Sequence, residues 1–133
     1  MVYSFQIRTS QHDVMVNITH QIESQLQKSQ VKEGLLVVYC THTTAGIMVN
    51  ENADPDVKHD LLVRLDEMIP WKHPKDRHAE GNTAAHLKAV FVGNSQTIPI
   101  HDGNLMLGRW QGIYFCEFDG PRERTVHIKM IAG

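Results

Sequence analysis

The first eight residues, Met1-Val2-Tyr3-Ser4-Phe5-Gln6-Ile7-Arg8, alternate apolar and polar side chains, the period of a half-buried strand. Val14, Val16 and Ile18, spaced by Met15 and Asn17, continue that pattern. Thr19 is placed to cap a helix running to about Gln30, with Ile22 and Leu26 on its apolar face and Gly34 stopping it. Leu35 to Cys40 is a continuous apolar run, which predicts a central strand covered on both faces. Ile47 to Val49 reads as a second, short strand. Asp54-Pro55 starts a helix, the Asp as cap and the Pro in the first turn. Val57, Leu61, Leu65 and Met68 then recur at spacings of four, four and three, a single stripe that packs on a sheet. Ile69-Pro70 ends that helix, and Trp71 to Gly81 reads as a loop. A short helix from about Thr83 to Phe91 is closed by Gly93. The last third reads as strands over 97–100, 112–118 and 125–131, joined by turns at His101-Asp102-Gly103-Asn104 and Asp119-Gly120-Pro121. Strands joined by hairpin-length links predict an α+β fold: a mainly antiparallel β-sheet with two to three helices packed on it. No repeat, linker or low-complexity segment divides the chain, so residues 1–133 read as one domain.

A domain of this size buries roughly two-thirds of its surface, enough for a core without disulfides. It is too short for a (β/α)₈ barrel, which needs about 250 residues. Thirteen Lys and Arg against fifteen Asp and Glu leave a net charge of −2, with no basic excess to recruit nucleic acid or an anionic membrane. Neither class of partner is expected. Cys40 and Cys116 lie far apart within apolar runs and read as buried free thiols. The N-terminus lacks the apolar core of a signal peptide, and no apolar run is long enough to span a membrane, so a cytoplasmic location is expected. Histidine is the unusual residue, nine in 133.

Three polar clusters interrupt the strand and helix patterns. Thr41-His42-Thr43-Thr44-Ala45-Gly46 follows the most apolar strand, and hydroxyls, an imidazole and a close-approaching glycine there suit an anion. The same residues equally suit a turn whose hydroxyls satisfy their own backbone. Asn50-Glu51-Asn52-Ala53-Asp54 precedes the second helix; capping accounts for Asp54, whereas Glu51 is placed to orient a ligand or accept a proton. His59 is explained by Asp56 or Asp60 beside it. The third cluster runs from Arg77-His78 through Glu80-Gly81-Asn82 to His86-Leu87-Lys88. His78 lies on the loop entering the helix that carries His86 and can bend back beside it. A third histidine would complete a three-imidazole site with an open position, the arrangement of catalytic zinc.

The stretch from Ser95 to Ile113 fits Ser-x₂-aliphatic-x-aliphatic-x₂-Gly-x₄-Gly-x-Trp-Gln-x-aliphatic, with Gly103, Gly108, Trp110 and Gln111 at its fixed positions. This resembles the signature of the secondary thiamine-phosphate synthase family, the YjbQ-like proteins. His42-Thr43-Thr44-Ala45, Asn50 to Pro55, His59-Asp60 and Glu80-Gly81-Asn82 through Lys88 are similar to its other landmarks. The resemblance implies a small α+β protein that forms a homotrimer, with a histidine-lined pocket and a divalent metal, zinc being the ion that all-imidazole ligation suits. It also implies joining a pyrimidine-methyl diphosphate to a thiazole phosphate with release of diphosphate. Under that expectation His42, His78 and His86 are the metal candidates, with His101 as substitute. Glu51 and His42 are the catalytic candidates. Thr43, Thr44, Asn52, Lys88, Arg109, Trp110 and Gln111 would contact the phosphorylated small-molecule substrate. A metal-dependent hydrolase of a phosphorylated small molecule and a non-enzymatic trimeric anion-binding protein fit the same residues.

Overall fold

The computed structural model describes residues 1–133. The elements are β1 (Tyr3–Arg8), β2 (Val14–Asn17), α1 (Thr19–Ser29), β3 (Gly34–Cys40), β4 (Ala45–Glu51), α2 (Pro55–Met68), α3 (Thr83–Val92), β5 (Ser95–His101), β6 (Asn104–Leu105), β7 (Gln111–Glu117) and β8 (Glu123–Ala132). All pairings are antiparallel, in a five-stranded sheet ordered β1-β8-β3-β5-β6 and a three-stranded sheet ordered β2-β7-β4. The α+β class read from the pattern is correct, with the strands divided between two facing sheets.

Alternation builds the core. Leu36, Val38, Ile98, Val126 and Ile128 point inward from the larger sheet to meet Ala45, Ile47, Ile113 and Phe115 of the smaller one, and Ile18, Ile22 and Leu26 of α1 join the same cluster. The opposite face of the smaller sheet presents Met15, Tyr114 and Cys116 to a second cluster with Ala85 and Ala89 of α3, against which Leu61, Leu62 and Leu65 of α2 pack. Asp54 accepts from the Asp56 N–H at 2.9 Å and Pro55 occupies the first turn, as expected.

Three expectations are corrected. The N-terminal alternation is two strands, not one, because β1 pairs with β8 in one sheet and β2 with β7 in the other, so residues 9–13 carry the chain between sheets. Thr19 does not cap α1. Its hydroxyl donates to Asn17 Oδ1 at 2.7 Å and accepts the Ile113 N–H at 2.9 Å, tying the start of α1 to β7. The β3 strand is central but covered on one face only: Leu36, Val38 and Cys40 are buried while Leu35 and Tyr39 stay about 40% exposed. Both helices of the second layer cover the smaller sheet, leaving the outer face of the larger one open.

Both cysteines are buried free thiols. Burial pushes the Cys116 thiol up to about 12 and raises Cys40 as well, so neither is poised as a nucleophile. No helix is long and apolar enough to cross a membrane.

Candidate functional site

The crossing from β3 to β4 delivers Thr41-His42-Thr43-Thr44 to one end of the sandwich, where β7 ends and β8 begins. Glu117 and Arg124 meet there with essentially no exposure. Arg124 Nε donates to Glu117 Oε1 at 2.8 Å, and its Nη2 donates to Glu117 Oε2 and to Thr44 Oγ1, the latter at 2.8 Å. Thr9 Oγ1 donates to Glu117 Oε1 at 2.8 Å and the Asp119 N–H to Oε2 at 3.0 Å. Burial alone raises the Glu117 pKa, but Arg124, the Asp119 N–H and the Thr9 hydroxyl outweigh it and hold the group below 4.5. Arg124 Nη1 makes no protein hydrogen bond.

Arg124 of that ion pair lines a pocket of about 380 Å³ whose lining contains no apolar residue: Thr41, His42, Thr43, Thr44, His78, Glu80, Asn82, His86, Arg122 and Arg124. The α3 helix reaches it because Gly46 lets the helix end sit on β4; a Cβ there would come within 2.5 Å of the Gly93 carbonyl oxygen. Arg122 is anchored by its Nε on the Asp119 carbonyl at 2.8 Å and by Nη2 on Asp119 Oδ2 at 2.9 Å. Asp119 also accepts from Asn82 Nδ2 at 2.8 Å. Asn82 Oδ1 is the one buried side-chain polar atom without a partner.

The expected approach of His78 to His86 is realised, their rings edge to face with centroids 5.5 Å apart and Glu80 at 4.0 Å from His78 Nε2. These two are the residues that could ligate an ion. His42 lines the same pocket, but its Nε2 accepts the Thr125 backbone N–H at 2.9 Å. A neutral ring whose Nε2 accepts a hydrogen bond carries its proton on Nδ1, so His42 offers a donor rather than a lone pair. Burial, then the Arg124 charge, hold its pKa below 6.5, keeping the ring neutral at pH 7. As folded, the three imidazoles do not fit a single metal. Long-range ¹H–¹⁵N correlation at pH 7.5 should find His42 protonated at Nδ1, and an Nε2–H pattern would refute this tautomer. His101 is no substitute: it ends β5 one residue past Ile100, the partner of Gly34, and so lies at the opposite end of β3 from His42, about 20 Å or more away. There it bonds Glu33 at 3.0 Å and, with Asp102, forms a fully exposed cluster of metal-ligand type.

The remaining candidates lie elsewhere. Glu51 and Asn52 sit at the far end of β4, about 20 Å from Ala45 for an extended strand of this length. Both side chains bond the local backbone. Glu51 Oε2 accepts the Ala53 N–H at 3.0 Å, and Asn52 Nδ2 donates to the Gln111 carbonyl at 3.2 Å. Gln111 Oε1 accepts the Gly108 N–H at 2.7 Å, and the Arg109 guanidinium stacks on Trp110, 4.8 Å from the ring centroid. Lys88 is buried, its Nζ donating to Asp13 at 2.8 Å and Asp66 at 3.0 Å, so it is committed to two carboxylates rather than to phosphate. Of the predicted site residues, His42, Thr43, Thr44, His78 and His86 are brought together. Arg122 and Arg124 are not among the predicted residues, although Arg124 shares the inward parity of Val126 and Ile128, a sign of a buried cation needing a carboxylate.

The model of the family described as "UPF0047 protein YjbQ-like" matches residues 3–133. The chain belongs to the UPF0047 YjbQ-like family. The UPF0047 protein YugU of Bacillus subtilis is 56% identical over 131 residues, covering 98% of this chain and 99% of the relative. A UPF0047 protein of Methanocaldococcus jannaschii is 51% identical over 131 residues, 98% of this chain and 94% of its own length. Among solved structures, a YjbQ/UPF0047 protein from Clostridium acetobutylicum superposes with TM-score 0.95 at 50% identity, over 97% of this chain and 99% of that one. A protein from Aeropyrum pernix superposes with TM-score 0.94 at 37% identity, over 100% and 99% of the two chains. The family signature around Trp110 thus lies at the opposite end of β7 from the histidine pocket.

Proposed function

We propose that the polar pocket binds a phosphorylated small molecule and that the protein acts on it as a transferase of the thiamine-phosphate synthase type. The observation that carries the reading is two guanidiniums beside three imidazoles in a pocket with no apolar lining residue. Such a site favours a group with several anionic oxygens, and Arg suits it because its planar fork can meet two of them at once.

In the proposed reaction the bond between the pyrimidine methylene and the diphosphate oxygen breaks, the thiazole nitrogen bonds to that carbon, and diphosphate leaves with the electron pair. Charge therefore accumulates on the leaving oxygens, and fixed positive groups aimed there lower the barrier most. Arg122 and Arg124 supply that charge, the His42 Nδ1–H and Thr43 hydroxyl supply hydrogen bonds, and His78 or His86 can protonate the leaving group. Glu51, Arg109 and Trp110 have no part in this reading within one chain.

A homotrimer belongs to the same proposal, and the open face of the larger sheet supports it. Val2, Leu35, Tyr39 and Ile131 are exposed there, an apolar surface of the kind oligomers cover.

Purified protein should be incubated with the pyrimidine-methyl diphosphate and the thiazole phosphate, after chelation and with added zinc, and the products separated. Thiamine phosphate with equimolar diphosphate is the expected result, lowered about a hundredfold or more in His86→Ala, the usual scale for a lost acid or base. Orthophosphate release without coupling would instead make the protein a hydrolase, and unchanged substrates would make it a binding protein.

A further inference from the structure

The chain between the end of β7 and the start of β8 carries two nested pairs, Glu117 with Arg124 and, between them in sequence, Asp119 with Arg122. Both guanidiniums are held the same way, through Nε and Nη2, and Nη1 of each makes no protein hydrogen bond. The two pairs differ in burial. Arg124 is inside the fold, whereas the Arg122 side chain is 50% exposed and its partner Asp119 only 15%. An arginine so exposed is ordinarily free to change rotamer, so Asp119 is what fixes Arg122 at the pocket.

The clamp is itself held from several sides. Asp119 Oδ2, which accepts from Arg122, also accepts from Asn82 Nδ2 at 2.8 Å, and the Asp119 N–H donates to Glu117 Oε2 at 3.0 Å. Its other oxygen, Oδ1, faces His12 Nε2 at 3.8 Å, and the Gly120 N–H donates to the His12 carbonyl at 3.0 Å. The His12 ring meets Trp71 edge-on with centroids 4.4 Å apart and bonds Asp13, whose second oxygen accepts from Lys88 Nζ. Buried Lys88 thus supports the pocket at a distance, through Asp13, His12 and Asp119.

We infer that Asp119 is the positioning residue of the anion pocket: it presents the Arg122 guanidinium to a bound phosphate or diphosphate in one orientation. This rests on the phosphate-binding reading above and adds how the site is held ready. An arginine that must find its rotamer on binding loses that freedom then, whereas one already clamped lost it on folding. Charge and positioning oppose each other at this residue. A carboxylate beside an anion repels it, so on charge alone removing Asp119 tightens binding. Removing it as a clamp weakens binding, and the sign separates the two roles.

The test is calorimetric titration of inorganic diphosphate at pH 7.5 and fixed ionic strength. The proteins are wild type, Asp119→Ala, Asp119→Asn, Arg122→Gln and the double variant Asp119→Ala with Arg122→Gln. Asp119→Ala should weaken binding about fivefold or more, and Asp119→Asn, which keeps one carbonyl acceptor, by a smaller factor. In the Arg122→Gln background, removing Asp119 should cost no more than about twofold, because its effect passes through the guanidinium. The ¹H–¹⁵N heteronuclear NOE at Arg122 Nε reads the clamp without ligand: it should be positive in wild type and fall in both Asp119 variants. Circular dichroism checks folding, and the isosteric Asp119→Asn carries the comparison if Asp119→Ala unfolds. Equal or tighter diphosphate binding in the folded Asp119 variants would overturn the inference and leave the phosphate site standing. The same loss with and without Arg122 would also overturn it and make Asp119 a structural residue. No diphosphate binding by wild type would overturn the phosphate reading itself, and this inference with it.

Discussion

Arg124→Ala is expected to destabilise the protein by about 3–5 kcal/mol, the scale for stranding one member of a buried ion pair. Glu117 has no exposure, and Arg124 supplies both of its strongest contacts, so removal of the guanidinium leaves a carboxylate that must either stay ionised without a partner or take up a proton. Against a typical total of about 5–15 kcal/mol, that loss is visible as a large fall in the urea midpoint. Replacing both residues, Glu117→Leu with Arg124→Met, should cost less than Arg124→Ala alone because no charge is stranded. It should not be neutral, since the Thr9 hydroxyl and the Asp119 N–H lose their acceptor.

The same pair sets an acid limit. The Glu117 pKa is depressed below 4.5, so the folded state binds its proton less readily than the unfolded chain does. The stabilisation is therefore complete above pH 4.5 and is lost as the pH falls through the depressed value. Urea midpoints should be flat in this contribution from pH 7 to 5 and fall below 4.5. Glu117→Gln should lose stability at pH 7 and show a shallower acid decline. Equal acid slopes in both proteins would assign the decline to other carboxylates.

Much of this architecture is written in the alternation. The inward set Leu36, Val38, Val126 and Ile128 packs as read, and the caps at Asp54 and Gly93 fall where the residue types require, but of the stripe Val57, Leu61, Leu65 and Met68 only Leu61 and Leu65 join the second cluster, Met68 being exposed. The division into two sheets is not legible there, because period two specifies a strand's faces and not its partner. The site is legible in its histidine half, where His78 and His86 follow from a loop entering a helix. Glu51 and the Arg109-Trp110-Gln111 run fall outside it because polar clusters need not be neighbours, and β4 alone separates Glu51 from the histidine end. Helical phase explains Lys88: it lies three and four positions after Ala85 and Ala84, on the buried face. Arg124 is hidden because a charge within a terminal strand looks like a solvated edge, and only its parity marks it as internal.

Arg122 is the variant that isolates anion recognition from stability. Its side chain is half exposed and its links to Asp119 lie at the rim, so Arg122→Gln should change stability by no more than about 1 kcal/mol. Its cost to a bound diphosphate is that of a charged hydrogen bond, about 1.5–3 kcal/mol, or roughly ten- to a hundredfold in affinity. Arg109→Gln provides the control, since that guanidinium stacks on Trp110 at the other end of β7. The decisive measurement is calorimetric titration of inorganic diphosphate into wild type, Arg122→Gln and Arg109→Gln at fixed ionic strength. The phosphate-pocket account predicts tight binding by wild type and Arg109→Gln and a ten- to hundredfold loss in Arg122→Gln. Loss in Arg109→Gln with Arg122→Gln unchanged would contradict it and move the anion site to the family signature around Trp110.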